Sequence, residues 1–165
     1  MKKIVILLLG ILFIVIDNSI APFFSIGGVY PSFLFTFAIC FSIVNRGWNA
    51  LGIGVFTGIL QDLYFANGFG YNTLVNLLLC ILVAILAENI FRHKRFVPIL
   101  MVGGITIVKY LSILLVTNMV GIKISIGIGI LIMAIYNTVL AFFMYGWVYN
   151  LSNKDYMKSQ WKFNK

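Results

Sequence analysis

Apolar positions dominate this chain in long runs, and the polar positions between them are sparse. The runs cover roughly residues 4–24, 30–45, 47–66, 70–91, 96–118 and 124–150, with a basic tail over 151–165. Most approach or exceed the ~20 residues that carry an α-helix across a bilayer. The second run is short and needs help from its polar flanks. Six transmembrane helices in one polytopic membrane domain, residues 1–165, are predicted.

Composition agrees with this pattern. The chain has 165 residues, 62% of them hydrophobic and only 10% charged, and its mean hydropathy is +1.06. Soluble domains carry about 25% charged residues, so the chain reads as an all-α integral membrane protein. The first run, after Met1-Lys2-Lys3, has signal-peptide features, including small residues at Ser19-Ile20-Ala21. Pro22 follows at once and five further runs come after, which favours a retained first helix.

The formal charge of +8 sorts by side. With six spans, Lys2, Lys3, Arg46, Arg92, Lys94, Arg95, Lys154, Lys158, Lys162 and Lys165 share one face of the membrane. The opposite loops hold Lys123 alone. The positive-inside rule then places both termini in the cytoplasm. A nucleic-acid role would need a folded basic surface, and no segment supplies one.

Few residues offer chemistry. Cys40 and Cys80 lie inside apolar runs and read as small hydrophobes. His93 sits in the basic cluster 92–95 with no second histidine, so no metal site and no cofactor are expected.

Asp17, Asp62 and Lys109 are the anomalies, because a charge in the hydrocarbon is expensive. At 1.5 Å per residue they stand about 20, 23 and 20 Å above the cytoplasmic starts of their helices, in the outer half of the bilayer. Asn18, Gln61 and Asn76 fall in or just above that layer. A buried polar cluster of Asp17, Asp62, Asn76 and Lys109 is therefore expected, with Lys109 as counter-ion to Asp62 or to Asp17. Asp17 at the outer interface, touching water, is the alternative for that residue.

The third run adds a packing pattern. Ala50, Gly54, Gly58 and Asp62 recur every four residues and so share one helical face. Small residues at this spacing let membrane helices approach closely, which turns Asp62 toward protein. Gly68 and Gly70, among Asn67 and Asn72, predict a compact outer turn.

The segment Gly58-Ile-Leu-Gln-Asp62-Leu-Tyr-Phe-Ala-Asn-Gly68-Phe-Gly70 resembles the G-x-x-x-D-L…G-x-G segment of the MreD family of rod shape-determining membrane proteins. Tyr30-Pro31 before the second helix, Arg46-Gly47 after it and Tyr136-Asn137 in the last helix agree with that family. Ser32 departs from it, since an acidic residue often follows Pro31 there. The resemblance implies a non-catalytic scaffold of the bacterial cell-elongation machinery in the cytoplasmic membrane. Such a scaffold helps couple MreB filaments, through MreC, to the glycosyltransferase and transpeptidase of peptidoglycan synthesis. It also implies a fold similar to the substrate-binding subunit of energy-coupling-factor transporters.

Two other functions stay open at this point. A substrate-binding subunit of an energy-coupling-factor-type transporter suits the size and span number, but the first helix, around Leu7–Leu12, lacks an A-x-x-x-A-type face. An intramembrane aspartyl protease would need Asp17 and Asp62 to share a proton, which a neighbouring lysine opposes. No Ser/His pair offers another catalytic route.

Overall fold

A computed structural model describes residues 2–64, 70–90, 96–119, 127–154 and 157. These residues form six α-helices: α1 (Lys2–Ser19), α2 (Phe33–Asn45), α3 (Gly47–Tyr64), α4 (Tyr71–Ile90), α5 (Phe96–Met119) and α6 (Gly127–Ser152). Among the described residues the extended structure is limited to one isolated bridge, Ile26 with Val29. Among the described residues, two helical stretches qualify by length and apolarity alone to cross a membrane, Phe96–Val116 and Gly127–Ser152.

Two boundaries differ from the sequence expectation around the first corner. The first helix stops at Ser19, not near 24, and a short 3-10 turn follows over Ala21–Phe24. Pro22 explains the break, because it has no N–H to continue the α-helical ladder. The second helix begins at Phe33, not 30, because Pro31 and the extended Ser32 (φ −111°, ψ 102°) precede it. Gly27 and Gly28, both at positive φ (61° and 80°), turn the chain between Ile26 and Val29.

α2 is the central element. Every residue from Leu34 to Ile43 is buried, and the helix packs against α6, α3 and α4 while touching α1 and α5. Phe35, Phe37 and Phe41 are fully enclosed, and Phe37 stacks obliquely on Phe13 of α1 with ring centroids 5.0 Å apart. Thirteen residues span only about 20 Å, whereas α5 and α6 run about 36 and 39 Å. A short helix at the centre of longer ones ends inside the protein, so its N-terminal N–H groups need protein partners.

The outer faces of the surrounding helices are apolar. Leu8, Leu12 and Val15 on α1, Leu100 and Leu115 on α5, and Leu131, Ile135 and Phe142 on α6 are all exposed. An all-round hydrophobic surface of this kind suits lipid as its solvent.

Candidate functional site

The closest helix pair is α3 with α4, and glycine sets the approach. A Cβ placed on Gly54 would stand 2.9 Å from both Asn76 O and Leu77 Cα, and one on Gly58 would overlap Thr73 Cα. Backbone meets backbone at both positions, which no side chain permits. Ala50, Gly54, Gly58 and Asp62 are all buried, and this seam carries Asp62 to the start of α4.

There the carboxylate does the work of a helix cap. Asn72 N–H donates to Asp62 Oδ1 at 2.8 Å, while Thr73 N–H (2.9 Å) and Thr73 Oγ1–H (2.6 Å) donate to Oδ2. A carboxylate at a helix N-terminus satisfies orphan donors and meets the positive end of the macrodipole. Gly70, at φ +96°, makes the turn that presents these N–H groups, and its carbonyl accepts from Leu74 N–H at 3.0 Å. Gly68 and Asn67 lie outside the described residues, as do Arg92 to Arg95, Lys123 and the tail residues 158–165.

Asp17 repeats this device one hairpin earlier. Phe33 N–H donates to its Oδ1 at 2.6 Å, and Leu34 N–H and Ser32 Oγ–H donate to Oδ2, each at 3.1 Å. The buried start of α2 is thereby satisfied from α1. Asp17 is 7% exposed, which corrects the alternative that placed it at a wet interface. Ser32 completes the corner: its N–H donates to Asn137 Oδ1 of α6 at 3.0 Å, and Asn137 Nδ2 donates to Thr106 Oγ1 of α5 at 3.3 Å. Pro31 is buried just before this junction.

Lys109 takes a different course from the one expected. Its Nζ donates to Gln61 Oε1 at 2.8 Å and to Asn76 Oδ1 at 3.0 Å, and lies 4.1 Å from the centroid of the Phe35 ring. Asn76 Nδ2 also donates to Gln61 Oε1, at 2.9 Å, which closes a triangle. Neither Asp62 nor Asp17 is a hydrogen-bonding counter-ion. Both carboxylates are already filled by helix N–H groups, so two amide oxygens and an aromatic face solvate the ammonium instead.

Counted from the helix ends, Asp17, Gln61, Asp62, Lys109 and Asn137 stand about 20–23 Å above the end of the bundle that carries Lys2. Asn76 sits about 10 Å lower than Asp62, because Thr73 faces Gly58 and Leu77 faces Gly54 along the α3–α4 seam, and its side chain reaches up to Gln61 and Lys109. Among the described residues, Thr36 Oγ1 and Tyr71 OH are the buried side-chain oxygens without a partner. The charged groups of the layer are occupied internally. No group of three or more His, Cys, Asp or Glu that could hold a metal occurs among the described residues.

A family model described as rod shape-determining protein MreD matches residues 1–155. The chain belongs to the MreD family. No curated protein and no solved structure matches it. Membership places the chain in a membrane protein family involved in rod-shape determination, which is not a known enzyme family.

Within this MreD-family chain the motif residues have distinct tasks. Gly58 brings α4 in, Asp62 caps it and Gly70 turns into it. Thr73, Phe35 and Thr106 escaped the sequence reading. Thr73 carried a usable signal, a hydroxyl in the first turn of a helix. Asn137 stood in the sequence only as part of a family pair, though it lies at the same height as the carboxylates.

Proposed function

We propose that this chain is a non-catalytic membrane scaffold of the cell-elongation machinery. In this reading six helices cross the cytoplasmic membrane as one polytopic domain, with both termini inside. The scaffold helps MreC and MreB direct the glycosyltransferase and transpeptidase of peptidoglycan synthesis. The family match over residues 1–155 carries the reading. The site supports it, because Asp17 and Asp62 each hold a helix start and Lys109 is enclosed by Gln61, Asn76 and Phe35. Carboxylates committed to backbone N–H groups cannot share a proton as a protease dyad does. A likeness to the energy-coupling-factor substrate-binding fold belongs to the same proposal.

The test is complementation. Expressed in a rod-shaped bacterium depleted of its own MreD-family protein, the chain should restore rods and co-purify with MreC. Spherical cells despite normal membrane levels of the chain would sink the proposal. Changed uptake of a small molecule with unchanged shape would favour the transporter-subunit reading.

A further inference from the structure

The corner that joins α1 to α2 presents adjacent large apolar side chains. Phe23 is 86% exposed, Phe24 60% and Ile26 58%. No charged residue or histidine occurs from Asn18 to Asn45. A contiguous apolar patch of this kind marks a contact surface.

Its place on the bundle says what it meets. The Tyr136 hydroxyl of α6 donates to Phe24 O at 2.7 Å. Tyr136 stands about 24 Å above Ser152, and α6 rises about 14 Å further to Gly127. The corner therefore lies against the flank of a helix long and apolar enough to span a membrane, short of that helix's end. Ile135 and Leu131 of α6, level with Tyr136 and above it, are themselves exposed apolar residues.

The backbone suits that position. Phe23 N–H donates to Ile20 O at 3.1 Å and Ser25 N–H to Pro22 O at 3.2 Å, while Ile26 and Val29 exchange N–H bonds of 2.9 and 3.2 Å. Pro22 brings no N–H to satisfy. In lipid a backbone group must find its partner inside the protein, whereas in water the solvent serves. Ser25 is extended (φ −72°, ψ 132°), so Phe24 and Ile26 lie on one side of the chain and the Ser25 hydroxyl on the other. Tyr30 and Tyr136 border the corner, and tyrosine suits the boundary between lipid and water. Irregular backbone stays out of the hydrocarbon centre, which limits the depth to that boundary.

We propose that this corner is an interfacial lipid anchor. Phe23, Phe24 and Ile26 enter the acyl-chain boundary of the leaflet at that end of the bundle, about 5–10 Å deep, with Ser25 toward water. The anchor is independent of the scaffold reading and needs only that the bundle cross the membrane.

The unaltered chain tests it, held one copy per phosphatidylcholine nanodisc doped with a lipid that carries a photoreactive diazirine on its acyl chain. Adducts mapped by peptide mass spectrometry are expected on Phe23, Phe24 and Ile26 as well as on Leu131 and Ile135. Adducts on α6 with none at the corner would overturn the anchor alone. Their absence from both segments would overturn the membrane crossing with it. A nitroxide label gives a second readout, for which Cys40 and Cys80 do not compete because both are buried. At Ile26→Cys the ratio of its collisions with oxygen to those with a water-soluble nickel chelate should exceed the ratio at Ser25→Cys by about threefold or more. Equal ratios at the two positions would overturn the proposal.

Discussion

Replacing Gly58 with alanine adds a single methyl group, and the structure says where it lands. The new Cβ would overlap Thr73 Cα and stand 2.8 Å from Thr73 N and 2.9 Å from Asn72 O, all of them α4 backbone. Ordinary contact begins near 3.4 Å, so α4 must retreat by about 0.5 Å or more. The same retreat stretches the Asn72 and Thr73 N–H bonds to Asp62, now 2.8 and 2.9 Å, past the usual limit of about 3.2 Å. Overpacking costs about 1–3 kcal/mol and a lost cap about 0.5–2 kcal/mol, so Gly58→Ala should destabilise by about 2–4 kcal/mol. Equilibrium unfolding in mixed micelles, with increasing denaturing detergent, measures this. Gly52→Ala is the control, since nothing lies within 4 Å of its Cβ, and it should be neutral or mildly stabilising. The cycle of Gly58→Ala with Asp62→Asn should be sub-additive by more than about 0.5 kcal/mol, because both changes weaken one cap. A Gly58→Ala protein within about 0.5 kcal/mol of the parent would refute the coupling of seam and carboxylate.

Other expectations follow from the same contacts. Asp62→Asn and Lys109→Met should each reduce folded yield, and the double variant should be no better than the sum of the two, since they do not bond to each other; rescue would show a direct pair. Asp17→Ala leaves Phe33 N–H, Leu34 N–H and the Ser32 hydroxyl without their acceptor, and at about 1–3 kcal/mol for a buried unsatisfied donor it should lower the unfolding midpoint more than Asp17→Asn does. For topology, cysteines at Ser25 and Asn49 should label from opposite sides of intact cells, Ser25 from outside; external labelling at Asn49 would overturn the orientation. Asp62→Asn expressed to normal membrane levels should fail to support rods if the α3–α4 start is a partner surface, and rod shape at parental levels would limit Asp62 to a structural role.

Much of this protein is legible along the chain because lipid is a demanding solvent. Backbone hydrogen bonds must close locally there, so long apolar runs of this composition had to be helices, and the six observed helices match the six runs to within a few residues except at the first corner. The four-residue spacing of Ala50, Gly54, Gly58 and Asp62 likewise needs only the helical period to place one face in a seam. Counting rises along helices also put Asp17, Asp62 and Lys109 at one level. Height was all it could supply. Which groups bond within that level depends on which helices are neighbours and where their ends fall, and neither is encoded locally. The sequence reading paired opposite charges because Coulomb attraction is the obvious remedy for a buried ion. In the folded chain α2 and α4 begin at that depth, their free N–H groups claim both carboxylates, and Lys109 turns to Gln61, Asn76 and the face of Phe35. Short α2, enclosed by five other helices, is the physical reason: a helix that ends inside the protein must be capped by whatever polar group the fold delivers to it.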